Sequence, residues 1–319
     1  MTAAPSLVAG LRRNPISLAV ALLVVLIVVN ALLQRNFFRP GILLSNLTTL
    51  LPLIMIAVGQ AFVVKGGSID LSLGAVVSLV NVVVVVIAER VGGTGGMFAG
   101  MVAGLAAGLA CGLVNGILIA VFRLQAIVTT FATSIVIGGL ALKVLPQAGG
   151  ALPPAYYITY GASVLGVPFV LIVLGMLVAA IGWVARTAFH THLTAVGANR
   201  QGAYQTGLPV ARIRIVSHVM AGGMAAVAAL CILGVTGAGD PLMGQAFTLG
   251  SVSAVVLGGI ALSGGWGHVM GTVLGGAILG FINNIIFFAN IPYQFQSIVQ
   301  GVIILLALAA GIFVSRKPG

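Results

Sequence analysis

The chain has 319 residues, of which 60% are hydrophobic and only 5% charged, against roughly 25% charged in a soluble domain. That composition excludes a soluble globular protein, and repeated apolar runs long enough to cross a ~30 Å hydrocarbon core predict a polytopic all-α membrane protein. The net charge of +11 does not imply nucleic acid as a partner, because the basic residues fall singly or in pairs at the ends of apolar runs, where the positive-inside bias puts them.

From the N-terminus, Arg12 and Arg13 precede an apolar run that no A-x-A-like cleavage site follows, so the run reads as an uncleaved first helix with its basic end in the cytoplasm. About ten spans follow from the hydropathy pattern, near 16–33, 42–64, 71–88, 97–122, 126–145, 165–184, 215–235, 247–263, 269–289 and 298–314. Charge then sorts the connections. Arg123, the polar stretch 186–214 and the tail Arg316-Lys317 fall on the cytoplasmic side, and Glu89, Asp240 and the Gly/Pro-rich stretch 149–161 outside. Arg35, Arg39 and Arg90 run against that sorting. The whole chain, 1–319, is expected to form a single transmembrane domain.

Two glycine patterns suggest an internal repeat. The fourth span carries Gly100, Gly104, Gly108, Gly112 and Gly116; the ninth carries Gly267, Gly271 and Gly275 in one row and Gly276 and Gly280 in a neighbouring row. Each ridge runs into G-[LF]-[VI]-N, at Gly112–Asn115 and Gly280–Asn283, and Leu73-Gly74 is matched upstream with Leu249-Gly250. An odd number of spans per half predicts a 5+5 inverted repeat, a common plan for transporters. Small residues four apart let membrane helices approach closely, so a bulky residue at Gly108 is expected to disrupt packing.

Asp70, Glu89 and Asp240 are the three acidic residues. Asp70 lies in GGSIDLSLG, where Gly66 and Gly67 break a helix. It reads either as a cap of the next helix neutralised by Lys65, or as part of a broken-helix loop lining a pathway together with Ser72. Asp240 follows Gly237-Ala238-Gly239, but Pro241 puts it in a turn and its only candidate partner for a proteolytic carboxylate pair, Asp70, is in another turn. All three acids are expected at span ends. Buried amides and hydroxyls, among them Asn115, Asn283 and Asn284, are candidates to line a solute path or to hold helices together. No H-E-x-x-H, G-x-S-x-G or G-x-x-x-x-G-K-[ST] string occurs, so no catalytic group, metal site or cofactor is expected and ATP must be bound elsewhere. Cys111 and Cys231 lie inside apolar runs and read as packing residues.

Four stretches resemble the permease subunits of bacterial ATP-binding-cassette importers of the ribose/xylose/galactose type: GGSIDLSLGA (66–75), GLVNGILIAVFRLQAIVTTFAT (112–133), AVGANRQGAYQTGLPVARIR (195–214) and AVVLGGIALSGGWGHVMGTVLGGAILGFINN (254–284). The resemblance implies a non-enzymatic inner-membrane subunit that pairs with a second permease. It also implies a cytoplasmic ATPase and a periplasmic sugar-binding protein as partners. It further implies a coupling segment in the loop 186–214, with Gly197, Asn199, Ala203 and Gly207 on the family's small-residue pattern and arginines such as Arg200 as anchors. Ser68 stands where the family commonly has glycine, and Gly250 where it often has an acid, so the solute is less securely implied than the class. Related permeases for branched-chain amino acids share the broader pattern, and an ion-coupled secondary transporter is the alternative from another class.

Overall fold

The computed structural model describes residues 15–305 apart from 293, 297 and 304. In an apolar medium a backbone must satisfy its own hydrogen bonds, so each run becomes a helix. These are α1 (Pro15–Leu33), α2 (Pro40–Lys65), α3 (Leu73–Val91), α4 (Gly93–Ala120), α5 (Ala126–Val144), the short α6 (Pro154–Gly161), α7 (Phe169–Ala185), α8 (Ala188–Ala198), α9 (Arg200–Gln205), α10 (Val210–Thr236), α11 (Gln245–Leu257) and α12 (Val269–Phe288). Between α6 and α7 a two-residue hairpin pairs β1 (Ser163–Val164) with β2 (Val167–Pro168). Its turn residues Leu165 and Gly166 both have positive φ (53° and 79°), the geometry that matches the right-handed twist of the strands.

Among the described residues, six helices (α2, α3, α4, α5, α10 and α12) are long and apolar enough to cross a membrane. α7 and α8, bent by 73° at their junction, make a seventh if counted together. α1 and α11 supply shorter apolar helices. The expected eighth span, 247–263, is thus a helix of 13 residues, ended by a left-handed Gly259 whose N–H bonds Val256 O while Ile260 N bonds Val255 O. The tenth expected span, 298–314, lies largely outside the described residues. The polar stretch 186–214 is not an open loop. It holds α8 and α9, and its last five residues already belong to α10.

The glycine rows show why the sequence repeats them. The α4 ridge changes partner along its length. Gly100 and Gly104 lie against Val84 and Val80 of α3, whereas Gly108, Gly112 and Gly116 lie against Gly222, His218 and Ile215 of α10. A Cβ on Gly108 would stand 2.7 Å from both the Ala226 Cβ and the Gly222 carbonyl. The two rows of α12 face two different helices: Gly271 and Gly275 meet the Gly258 and Ala254 carbonyls of α11, and Gly276 and Gly280 meet Ile54 and Leu50 of α2.

The connections gather at two ends, as charge sorted them. At one end Gly265 N bonds Lys65 O (3.0 Å) and Gly67, Gly197 and Gly264 pack together. At the other, Gly149 and Gly239 exchange backbone bonds of 2.9 Å and Leu152 N bonds Gly237 O (2.8 Å). There too Glu89 Oε1 accepts from Ala151 N (2.8 Å). α6 is held there by Tyr156, whose hydroxyl donates to Leu230 O (2.8 Å); burial pushes the phenol's pKa up and keeps it the donor.

Overpacking a helix contact costs about 1–3 kcal/mol. Gly108→Leu should therefore lower the apparent melting temperature in detergent and the monodisperse yield, while Gly139→Leu, with nothing within 4 Å of its Cβ position, should leave both near wild type. Equal melting of the two variants would remove the packing role from the ridge.

Candidate functional site

Two octapeptides with the same glycine and aspartate spacing interrupt helices and meet inside the bundle: Gly67-Ser68-Ile69-Asp70-Leu71-Ser72-Leu73-Gly74 between α2 and α3, and Gly237-Ala238-Gly239-Asp240-Pro241-Leu242-Met243-Gly244 between α10 and α11. Each opens on a glycine in the left-handed region (Gly67 φ 76°, Gly237 φ 65°), a conformation that costs other residues more. In each, the aspartate Oδ1 accepts from the N–H two residues on, Ser72 N in one and Leu242 N in the other, both at 2.8 Å. They touch at their ends. A Cβ on Gly74 would overlap the Gly244 carbonyl, and one on Gly244 would overlap the Gly74 carbonyl.

The first break is buried. Asp70 is 1% exposed and Ser72 fully buried. Because residues 68–72 are not helical, their backbone needs other partners. The Gln60 amide, oriented donor to acceptor, donates to Asp70 O (3.0 Å) and accepts from Asp70 N (3.2 Å). Thr130 Oγ1 of α5 accepts from Leu71 N (3.0 Å) and donates to Ile69 O (3.3 Å). Ser72 Oγ donates to Asp70 Oδ1 (2.6 Å) and accepts from Asn115 Nδ2 of α4 (2.7 Å). The second break leans on α3, through Asp240 N to Asn81 Oδ1 (2.7 Å) and Gly244 N to Ser78 Oγ (2.9 Å).

Asp70 therefore lies between two spans, as expected, but it is buried there and not paired with Lys65. Gln60, five residues back along α2 from Lys65, lies beside it, because the chain reverses at Gly66-Gly67 and runs back along the helix it has just left. Lys65 Nζ reaches the Gly267 carbonyl instead (2.7 Å). Ser72, rather than Asp70, occupies the N-cap position of α3. Three buried atoms around this point, Asp70 Oδ2, Asn115 Oδ1 and His218 Nε2, have no hydrogen-bond partner among the described residues.

Arg214 is the residue that sequence reasoning misplaced. The last residue of the polar stretch 186–214, whose arginines the resemblance implies as anchors, it is 4% exposed and points into the bundle from the second turn of α10. Its Nη2 donates to Ser68 Oγ (2.8 Å) and its Nη1 to Ile119 O at the end of α4 (3.2 Å). The carbonyl of Arg214 in turn bonds His218 Nδ1 (2.9 Å). The signal available was its spacing from His218, i to i+4 on one helix face.

In the expected coupling segment each small residue has a physical role. Gly197 has no room for a side chain, since a Cβ there would overlap Lys65 O and stand 2.6 Å from Gly265 N. Asn199 caps α9, its Oδ1 accepting from Gly202 N (2.9 Å). Ala203 is buried. Gly207, at φ 81°, ends α9: its N–H bonds Tyr204 O (3.0 Å) and Leu208 N bonds Ala203 O (3.1 Å), a left-handed helix stop. Arg200 faces outward. Asn283 and Asn284 do not join the Asp70 group. Asn284 Nδ2 donates to Asn46 Oδ1 (3.2 Å), 19 residues before Lys65 on α2, about 28 Å along the helix. Asn283 is exposed on the outer face of α12.

Residues 42–308 match the family model described as branched-chain amino acid transport system / permease component. The chain belongs to this permease family. The permease is 32% identical over 291 residues to the ribose import permease protein RbsC of Bacillus subtilis (strain 168), covering 90% of this chain and 89% of the relative. It is 30% identical over 296 residues to the RbsC of Escherichia coli (strain K12), covering 90% of each. To the L-arabinose ABC transporter permease protein AraH of Azospirillum brasilense it is 32% identical over 300 residues, covering 91% of this chain and 85% of the relative. No solved structure matches. The relatives are named as transport components, and the permease, with its several membrane-spanning helices, is an integral membrane protein.

Gly197 and Gly207 of the permease separate two costs. Gly197→Ala should destabilise strongly, because its Cβ meets backbone that cannot move aside cheaply. Gly207→Ala meets nothing and should cost only the left-handed conformation, about 1–2 kcal/mol. Melting of the two purified variants in detergent checks the order, and a Gly207→Ala variant melting below Gly197→Ala reverses it.

Proposed function

We propose that the permease forms half of the transmembrane pathway of an ATP-driven importer for a small sugar, a monosaccharide, in the bacterial inner membrane. The observation that carries this reading is the buried break at Asp70, Ser72 and Asn115, in a chain whose relatives are named for ribose and arabinose. Discontinuous helices whose N-termini meet within the bundle are where transporters hold their solutes, and hydroxyl and amide groups match a polyol. The exposed amide of Asn283 on an otherwise apolar helix supports a second permease subunit or an aqueous path against that face, because such a group is costly in lipid.

The matching octapeptides 67–74 and 237–244 support the 5+5 inverted repeat, and replace Leu249-Gly250 with Met243-Gly244 as the counterpart of Leu73-Gly74. They pair α2 with α10, α3 with α11 and α4 with α12, which leaves the expected span 298–314 as the counterpart of α5 in a plan of ten spans. The chain 1–319 acts as one transmembrane domain. The end that holds Lys65, Gly197 and Gly265 faces the cytoplasm. There the segment 186–214 docks a separate ATP-binding-cassette ATPase through the outer face of α9, with Asn199 and Arg200 at the contact. A periplasmic sugar-binding protein delivers solute at the opposite end. ATPase closure moves α9, and Arg214, at the start of the next helix, passes that motion to the break at Ser68.

Proteoliposomes containing the permease, its ATPase and its binding protein test this directly with labelled ribose, arabinose and leucine. ATP-dependent uptake of a pentose is expected. Leucine uptake would favour the amino-acid branch instead, and uptake by the permease alone without ATP would favour an ion-driven carrier. Arg214→Gln should keep ATP hydrolysis and lower sugar uptake at least tenfold, on the order of one lost charged hydrogen bond. Hydrolysis and uptake falling in proportion would remove Arg214 from the coupling route.

A further inference from the structure

At the end of the bundle that carries α9, a cleft of about 850 Å³ is lined by Arg123, Arg200 and Arg212 together with Gln201, Tyr204 and Pro209. The three arginines come from different elements. Arg123 follows α4 in a left-handed turn (φ 58°), Arg200 opens α9 and Arg212 lies in the first turn of α10. All three are exposed, and none makes a hydrogen bond to the described residues. Among the described residues no carboxylate faces them: of the three acidic residues, Asp70 is buried in the break, Glu89 bonds Ala151 N and Asp240 bonds Leu242 N, the last two at the opposite end. Three guanidinium groups around one open cleft make a site for an anion with several oxygens, most strongly a phosphate.

The surroundings say what carries that phosphate. Val121, Phe122 and Leu124 flank Arg123 and are 56%, 65% and 49% exposed. They continue into the exposed apolar face of α5 at Ile127, Val128 and Phe131. The cleft thus opens where the apolar surface of the spans ends. A ligand that fills both halves is anionic at one end and apolar at the other, which describes an anionic phospholipid better than a soluble anion or the polar face of a protein. We propose that the cleft binds the phosphate-bearing headgroup of an anionic phospholipid, with its acyl chains along α4 and α5. Bridging Arg123 to Arg200 and Arg212, the bound lipid ties α9 to the end of α4.

The test uses the full-length permease in nanodiscs, with native mass spectrometry counting retained lipid and melting read in parallel. Phosphatidylglycerol is the probe, phosphatidylcholine its zwitterionic control and inorganic phosphate its chain-free control. The double variant Arg123→Gln/Arg212→Gln keeps Asn199 and Arg200, the residues placed at the ATPase contact, while ATPase co-purification is followed because Arg212 lies in the docking segment, and Arg123→Lys/Arg212→Lys keeps the charge. Retention of phosphatidylglycerol over phosphatidylcholine by the wild type is expected, with a raised melting temperature. Roughly thirtyfold weaker retention is expected in the glutamine variant, and substantial rescue in the lysine variant. Equal retention of the two lipids, undiminished phosphatidylglycerol binding in the glutamine variant, or equal stabilisation by inorganic phosphate would overturn it. So would loss of ATPase co-purification in the glutamine variant with lipid retention intact, which would assign the cleft to an acidic protein face.

Discussion

The break in the path from α2 to α3 depends on hydrogen bonds that no helix supplies. An unsatisfied backbone group in a hydrocarbon environment costs several kcal/mol, yet residues 68–72 leave helical geometry inside the bundle. Gln60 and Thr130 repair the backbone of Ile69, Asp70 and Leu71, and the Asp70 carboxylate repairs Ser72. With those bonds in place, α3 starts deep in the bundle, where Gly74 meets Gly244 backbone to backbone. A continuous α2–α3 turn at the surface would forfeit that meeting, and with it the close approach of two helix N-termini. α3 begins at Leu73, three residues past Asp70, and α11 begins beside Ser78, whose hydroxyl accepts from Gly244 N (2.9 Å).

Arg214 connects this break to the segment outside it. From the left-handed stop at Gly207 the chain passes through Pro209 into α10, and one turn later Arg214 reaches Ser68 and Ile119. Residues 206–209 join the two helices outside helical geometry, and Leu208 N bonds back to Ala203 O (3.1 Å). Gly197 secures the other side of the same segment by letting Lys65 O and Gly265 N pass under α8. The end of α8 thus packs directly against the end of α2 and the loop before α12. Ser68 supplies the hydroxyl on which the Arg214 contact rests.

Periodicity revealed the glycine ridges and their use, because a row of small residues has a physical consequence wherever it faces a helix. Charge revealed which connections share an end. Neither signal registers a residue's direction along a non-helical path. Lys65 and Asp70 look paired at five residues' separation, but reversal at Gly66-Gly67 sends Lys65 to Gly267 and Asp70 to Gln60. Hydropathy likewise runs through Gly258-Gly259, where the backbone stops α11, and so lengthens a 13-residue helix into a span. Arg214 was misread because the start of α10 was placed at 215, five residues late. The second octapeptide was hidden behind the dipeptide Leu249-Gly250, although Gly237, Asp240 and Gly244 stand at the spacing of Gly67, Asp70 and Gly74.

The burial of Asp70 changes which observation argues against an ion-driven carrier. An acid exposed at a span end leaves an ion nothing to couple to inside the bundle. Asp70, between two spans, is nonetheless buried, with one oxygen bonded by Ser72 and the other without a partner among the described residues. Its neighbours bear on the question instead. Arg214 donates to Ser68, two residues before Asp70 in the chain, and so brings a guanidinium to the same break. Ser72 and Asn115 line the same break with a hydroxyl and an amide, groups that suit the hydroxylated cargo proposed for the permease.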